Sequence, residues 1–226
     1  MSHYRSLTRR SFLRNTAATA GATCSLPYLV PASALGAQGT VAPSERVTVG
    51  MIGVGRHGSN RNLRQQFLKM PDVQIVAVCD VDSWRLNNAK EWVEKAYAKD
   101  QASGRYKGCD TYTDFQELLA RKDIDAVMIS TPDHWHVPMA LAAMAAGKDV
   151  SLEKPITRSV LEGQKLIEAA AKYKRIFRVD SEMRSFPHTV QAAELVRNGR
   201  IGKVTAVTVG VPFEGDDAVI PQQPEM

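Results

Sequence analysis

Short apolar runs alternate along the chain with segments whose apolar residues recur at a helical spacing. The runs cover residues 46–52, 73–79, 124–129, 149–152 and 175–179. The run at 73–79 is nearly continuous rather than alternating, which is typical of a strand covered on both faces of a parallel sheet. Sequential strand and helix patterns therefore predict an α/β fold with a doubly wound parallel sheet.

The segments between these runs predict the helices. Leu63, Phe67 and Met70 recur at i, i+4 and i+7, and Pro71 ends the pattern. Gly147 and Gly199 each follow a helical pattern at the place of a C-terminal cap. The remaining helical patterns lie at 82–99, at 114–121, from Val137 to Met144, after Ile156 and at 189–198.

A glycine cluster joins the first apolar run to the first helical pattern. Gly53, Gly55 and Gly58 are spaced as G-x-G-x-x-G. Between a strand and a helix, this spacing permits a tight turn, close approach of the backbone to a pyrophosphate, and close packing of the helix on the strand. The sequence therefore predicts a dinucleotide-binding turn of the Rossmann type, in which Arg56 and His57 also contact the cofactor.

An acidic residue follows the second run at the spacing that a dinucleotide site needs. Asp80 lies 22 residues after Gly58, where a carboxylate accepts hydrogen bonds from the adenosine ribose and repels a 2′-phosphate. This position favours NAD over NADP. The nearby Arg85 keeps NADP as an alternative cofactor, because a guanidinium can bind the 2′-phosphate. The structural alternative is an acid that only ends a strand.

Two polar motifs follow the next two runs. The first is Thr-Pro-Asp-His-Trp-His at 131–136, and the second is Glu-Lys-Pro at 153–155. Ligands of such sheets bind beyond the carboxyl ends of the strands, which is where both motifs fall. His134 and His136 beside Asp133 also suggest a metal site as an alternative. No third ligand is evident nearby and i, i+2 side chains of a helix do not face each other, so we predict no metal site.

The glycine turn, Asp80 and the two polar motifs, in this order, resemble the Gfo/Idh/MocA family, named for glucose-fructose oxidoreductase, inositol dehydrogenase and a rhizopine-catabolism protein. The resemblance covers residues 46 to about 212. It implies an enzyme that transfers hydride between NAD(P) and a sugar, polyol or sugar derivative. It also leaves open a glycosidase that uses NAD for transient oxidation and elimination, and a noncatalytic nucleotide-binding module.

The resemblance also implies site residues. By it, Lys154 is the catalytic residue, and Glu153 orients that lysine or contacts the cofactor. Thr131, Pro132 and His136 belong to the segment that lines the nicotinamide ribose. His134 and Trp135 line the substrate mouth, or the Trp caps a helix. Arg184 matches a short motif that reaches the cofactor or the substrate.

The N-terminal segment resembles a twin-arginine export signal. Arg9-Arg10 precedes Phe12-Leu13, an uncharged stretch follows, and residues 32–34 form an A-x-A cleavage site. The formal charge of +5 falls to +1 without the four arginines of this segment, so the mature chain has no basic excess for nucleic acid. We expect the twin-arginine export machinery as a partner, and a periplasmic or secreted location.

These observations divide the chain into a signal peptide and cleavage region at 1–37, a linker at 38–45, an NAD-binding Rossmann domain at 46–152, and a second domain from 153 to 226. The alternation at 203–209 predicts the opening strand of an antiparallel sheet. The resemblance implies a much larger second domain, so we expect a truncated α+β domain with impaired activity, and a homo-oligomer in the full-length form.

Overall fold

The computed structural model describes residue 42 and residues 45–210, and it divides the chain into two compact units after Asp180. The first unit contains a six-stranded sheet in the order β3-β2-β1-β4-β5-β6, and every pair of neighbours is parallel. Its strands are β1 (Val47–Ile52), β2 (Val73–Cys79), β3 (Asp110–Tyr112), β4 (Ala126–Ile129), β5 (Asp149–Leu152) and β6 (Phe177–Val179). This order is that of a doubly wound Rossmann sheet, which confirms the predicted fold class.

Helices connect the strands and cover the sheet. In the first unit they are α1 (Gly58–Gln66), α2 (Ser83–Ala96), α3 (Ala98–Ala102), α4 (Phe115–Leu119), α5 (Asp133–Ala145) and α6 (Val160–Tyr173). The central strands carry the core, because Met51, Ile75 and Met128 are fully buried. Their continuous apolar runs therefore reflect strands that have no solvent-facing side.

The strand order reverses between β1 and β4, and this reversal positions the functional site. The chain leaves β1 toward β2 on one side, whereas β4, β5 and β6 extend the sheet on the other side. The loops after β1 and β4 therefore diverge and leave a crevice at the carboxyl edge of the sheet.

Helix α1 differs from the predicted helix. Its hydrogen bonds are of the widened i→i+5 type, and a short 3-10 turn, Phe67–Lys69, follows it. The wider turn changes the rotation per residue, and the segment that begins as α1 ends before Met70. Leu63 is fully buried as predicted, but Met70 is 40% exposed.

The cap predicted at Gly147 is confirmed. This glycine follows α5 with φ +80°, and its N–H donates to Met144 O while the next N–H, of Lys148, donates to Ala143 O. The pair of bonds satisfies two carbonyl groups that the end of the helix would otherwise leave unpaired.

The boundary predicted after Leu152 falls inside the first unit. Strand β6 pairs with β5, and α6 connects these two strands as a further β-α-β crossover. The sheet therefore continues past the Glu-Lys-Pro motif, and the unit ends only at Asp180.

The second unit begins at Ser181 with a 3-10 turn, Glu182–Ser185, and helix α7, Pro187–Arg197. The antiparallel strand predicted at 203–209 is wrong for the residues described, because no strand pairs with this segment and its side chains are exposed. A strand needs a neighbour to bond its backbone groups.

The predicted signal peptide lies outside the described residues. Among residues 45–210, no helix has the length and apolar character to cross a bilayer.

Candidate functional site

Three glycines follow β1, and they differ in the space that a side chain would have. Gly53 has φ +85°, and a Cβ there would lie 2.7 Å from the Ser130 carbonyl group. A Cβ on Gly58 would overlap the carbonyl oxygen of Gly53. At Gly55 the nearest atom to a Cβ would be Arg85 Nη1, at 3.5 Å. Backbone packing thus requires the first and third glycines, whereas the second leaves room beside the backbone.

A cleft of about 550 Å³ lies at the carboxyl ends of β1, β2 and β4. Its lining includes Gly53, Gly55, Arg56, His57, Asp80, Thr131 and Pro132, all of which the sequence predicted as site residues. The side chains of Cys79, Arg85, Phe115, Trp135 and Met139 complete much of the wall. The structure therefore brings the glycine turn, the acid after β2 and the start of the loop after β4 together around one space.

Asp80 connects the end of β2 to the glycine turn. Its Oδ2 accepts a hydrogen bond of 2.8 Å from Val54 N, and its Oδ1 accepts one of 3.0 Å from Asp82 N. A carboxylate has about four acceptor sites, so these two bonds leave capacity for a ligand. Because Asp80 also lines the cleft, it is placed to accept hydrogen bonds from a ribose.

The cleft has the features that a dinucleotide needs. Arg56, Arg85 and His57 supply donors beside the glycine turn, and α1 begins there with no acidic residue in its first turn. The N-terminal end of a helix favours an anion. The Thr131 hydroxyl is buried without a hydrogen-bond partner, and a bound ligand would supply one. The residues present therefore fit a diphosphate and its ribose.

Arg85 stands between the cleft and a smaller neighbouring groove. Its Nε lies 3.3 Å from Asp82 Oδ2, and its Nη1 approaches Gly55. The groove, of about 270 Å³, shares Gly55, Arg56 and Arg85 with the cleft, and its lining includes Trp84 and Trp92. The ion pair with Asp82 holds the Arg85 guanidinium over the glycine turn.

His136 does not line the cleft, which corrects the prediction that it contacts the cofactor. The imidazole is 1% exposed. Its Nδ1 lies 2.7 Å from Pro155 O and its Nε2 lies 2.9 Å from Thr131 O. Both ring nitrogens face carbonyl oxygens, so neither is available to a ligand or a metal. The ring instead holds the loop after β4 against the Glu-Lys-Pro loop.

Glu153, for which the resemblance implied a role in orienting Lys154 or contacting the cofactor, is the centre of a buried network. Its Oε1 accepts hydrogen bonds of 2.9 Å from His57 Nε2 and from Asn62 Nδ2, and its Oε2 accepts one of 3.1 Å from the backbone N of Lys154. Asn62 also donates to Ser130 Oγ, at 2.6 Å. Asn62 and Ser130 were not predicted as site residues, because neither stands in a recognised motif.

Lys154 lies two residues after the end of β5, at the carboxyl edge of the sheet, and it is exposed. It is not among the residues that line the cleft. Arg184 lies in the second unit, within the turn Glu182–Ser185, and is also exposed. The roles predicted for these two residues stay predictions.

Both described cysteines lie in surroundings that disfavour a thiolate. Cys79 and Cys109 are buried and not bonded to each other. Burial raises the pKa of each thiol to about 12. Both groups therefore remain protonated at neutral pH, and Cys79 contributes to the cleft as an apolar side chain.

The aromatic residue of the Thr-Pro-Asp-His-Trp-His motif belongs to the cleft. Trp135 is 44% exposed and packs against Phe115, with ring centroids 6.4 Å apart. His134 is exposed and lies beside Trp135. The Trp therefore forms part of the wall rather than only packing at the start of α5.

The fold and the cleft define a dinucleotide-binding Rossmann domain, and comparison with known proteins specifies it. Residues 47–181 match the Gfo/Idh/MocA family, which is described as an oxidoreductase family with an NAD-binding Rossmann fold. The match covers more than half of the chain. The chain therefore belongs to the Gfo/Idh/MocA family, and its first unit is an NAD-binding domain.

Two groups of relatives illustrate the range of the family. A glycosyl hydrolase family 109 protein from Saccharopolyspora erythraea is 37% identical over 74% of this chain and 37% of its own length. An α-N-acetylgalactosaminidase from Shewanella oneidensis is 32% identical, over 84% of this chain and 40% of its own. The chain thus spans about two fifths of the length of these curated relatives.

Solved structures give the second group. Myo-inositol 2-dehydrogenase from Lactobacillus plantarum superposes with a TM-score of 0.57 at 29% identity, over 70% of this chain and 43% of that one. Scyllo-inositol dehydrogenase from Lactobacillus casei, solved with NAD(H) and scyllo-inositol, gives 0.59 at 25% identity, over 71% and 43%. The first unit therefore shares its fold with these two dehydrogenases.

Proposed function

We propose that this chain carries the NAD-binding part of an enzyme that oxidises a hydroxyl-bearing carbon of a sugar, polyol or sugar derivative by hydride transfer. Bound NAD supplies the hydride acceptor. The observation that carries the proposal is the convergence of the glycine turn, Asp80 and Thr131 on one cleft, with Lys154 at the end of the neighbouring β5.

Different residues of the chain would bind the cofactor and assist the hydride transfer. Asp80 would bind the adenosine ribose through acceptor positions that its two backbone contacts leave open. Arg56, His57 and Thr131 would bind the diphosphate and the ribose next to it. Lys154 would donate a hydrogen bond to the substrate oxygen and stabilise the negative charge that develops there. Arg184 would supply a further donor to the cofactor or the substrate.

The relatives favour a second candidate that begins with the same oxidation. Several curated relatives carry the name glycosyl hydrolase family 109, and one is an α-N-acetylgalactosaminidase. In this candidate, oxidation of a sugar hydroxyl acidifies the neighbouring C–H, and elimination releases the aglycone and leaves a double bond next to the carbonyl. Water then adds to that double bond, and the hydride returns from NADH to the carbonyl carbon. NAD is therefore not consumed.

One assay separates the two candidates. The protein is incubated with NAD and either an inositol or p-nitrophenyl α-N-acetylgalactosaminide, while absorbance reports NADH and nitrophenol separately. A dehydrogenase accumulates NADH in proportion to oxidised polyol. A glycosidase releases nitrophenol without net NADH. A chain that binds NAD but does neither with a panel of polyols and glycosides would contradict both candidates and favour the nucleotide-binding module.

Asp80→Ala tests the cofactor assignment. We expect the Kd for NAD to rise about tenfold or more, because charge-assisted hydrogen bonds are lost. We also expect the preference for NAD over NADP to narrow, because the carboxylate no longer repels a 2′-phosphate. Fluorescence titration of both cofactors measures the ratio. Asp133→Ala, an exposed acid outside the cleft, is the control and should leave the ratio unchanged. Equal weakening of both cofactors would contradict the ribose role of Asp80.

We also propose export of the protein by the twin-arginine route, on the basis of Arg9-Arg10 and the A-x-A site at 32–34. Replacing both arginines by lysine should retain the protein in the cytoplasmic fraction of a twin-arginine-competent host. Unchanged export of that variant would contradict the proposal.

A further inference from the structure

A buried carboxylate connects the glycine turn to the backbone of Lys154. Glu153 is 5% exposed, although it follows β5 at the edge of the sheet. One of its oxygens binds His57 and Asn62 at the start of the chain's first crossover, and the other binds the N–H of Lys154. The contacts join segments that are more than 90 residues apart in sequence.

The arrangement requires a carboxylate at this position. Donors approach from both sides: a ring N–H and an amide NH₂ at Oε1, and a backbone N–H at Oε2. A carboxylate offers acceptors on both oxygens, whereas the amide of Gln offers one acceptor and one donor. In either orientation, the NH₂ group of a Gln at this position would face a donor, and at least one of these hydrogen bonds would be lost.

The network also reaches the wall of the cleft. His57 and Ser130 line the cleft, and both are bonded to the buried pair of Asn62 and Glu153. Asn62 is completely buried, and its contact with the carboxylate fixes which end of its amide faces Glu153. A ligand that fills the cleft therefore contacts His57 and Ser130, which belong to the network. At the opposite end of the network, Glu153 accepts the hydrogen bond from the backbone N–H of Lys154.

We propose that Glu153 is a positioning residue that couples occupation of the cleft to the placement of Lys154, with His57 and Asn62 as the links. The inference rests on the proposed function, because Lys154 acts on a substrate only there. It predicts that the Lys154 backbone responds to NAD although Lys154 itself does not line the cleft.

Amide hydrogen exchange measured by NMR at Lys154 tests the coupling. In the unsubstituted chain, we expect NAD to slow exchange at Lys154 as well as at residues 55–58. In Glu153→Gln, we expect exchange at Lys154 without NAD to be about tenfold faster, because its acceptor is lost or replaced by a donor. We expect NAD to protect residues 55–58 of this variant without protecting Lys154.

Asn62→Ala provides a second variant that leaves the contact of Glu153 with Lys154 in place. We expect exchange at Lys154 without NAD to stay close to that of the unsubstituted chain, while the response to NAD shrinks. Glu168→Gln, which removes an exposed carboxylate of α6, is the matched control and should change neither. If Glu153→Gln does not fold, Asn62→Ala carries the test.

The outcomes separate this inference from the proposed function. An unchanged exchange rate at Lys154 in folded Glu153→Gln would overturn the inference. A full NAD response at Lys154 in either variant, or no response in the unsubstituted chain that binds NAD, would also overturn it. A folded chain that binds no NAD would instead contradict the proposed function, and the measurements without NAD would still decide whether Glu153 holds Lys154.

Discussion

Gly58→Ala is expected to lower the free energy of unfolding by about 2–3 kcal/mol, the cost of forcing extra volume into a packed site. The added methyl group would overlap the carbonyl oxygen of Gly53 and lie 3.1 Å from the Ser130 Cβ. Neither neighbour can move freely, because Gly53 donates from its own N–H to Cys79 O and Ser130 follows β4. The turn must therefore separate from α1.

The same change should weaken NAD binding by about tenfold or more, because the displaced turn carries Gly55, Arg56 and His57 away from the cleft. Urea unfolding and an NAD titration measure the two effects. Gly163→Ala is the matched control. Gly163 lies inside α6. A Cβ added there would contact only the Thr157 side chain, at 3.9 Å. Because Ala favours a helix by up to about 1 kcal/mol over Gly, this control should stabilise the protein. A Gly58→Ala variant as stable as its control would contradict the packing described here.

Lys154→Ala is expected to lower kcat for hydride transfer by about a hundredfold or more, with the Kd for NAD changed by less than about threefold. The ammonium acts on the substrate oxygen in the proposed function, whereas the residues that surround the cofactor cleft do not include it. Steady-state NADH formation at saturating NAD gives kcat, and a separate titration gives the Kd.

Lys165→Ala is the control for Lys154. Lys165 is an exposed lysine of α6, and its loss changes the net charge equally. It should leave both constants unchanged. If Lys154→Ala instead retained kcat and weakened NAD binding, Lys154 would be a cofactor ligand and not the catalytic residue.

The central strands could be predicted from sequence because β1, β2 and β4 are mostly buried, whereas the short and largely exposed β3 was not predicted. The bounds of β2 match the apolar run at 73–79, since a strand covered on both faces carries few polar residues. The bounds of β5 also match the run at 149–152, although Asp149 and Ser151 alternate there with the buried Val150 and Leu152. The glycine turn and Asp80 were also predictable. Their spacing follows from a close backbone approach that other residues cannot make.

Other features depend on contacts that no local pattern encodes. Glu153 and His136 belong to polar motifs, and the sequence alone gives no sign that both side chains are buried and bonded to distant backbone or side-chain atoms. The widening of α1 is likewise not visible in a 3.6-residue repeat. The boundary predicted after Leu152 lies before β6, which extends the sheet through a pairing with β5 that the local sequence does not reveal.

Calorimetric titration of the folded chain with NAD and with NADP tests the central claim most directly. The structure predicts one NAD bound per chain at the cleft formed by the glycine turn and Asp80, with NADP binding about tenfold or more weakly because of that carboxylate. A chain with the circular dichroism of a folded α/β protein that binds no NAD, or that prefers NADP, would contradict the account.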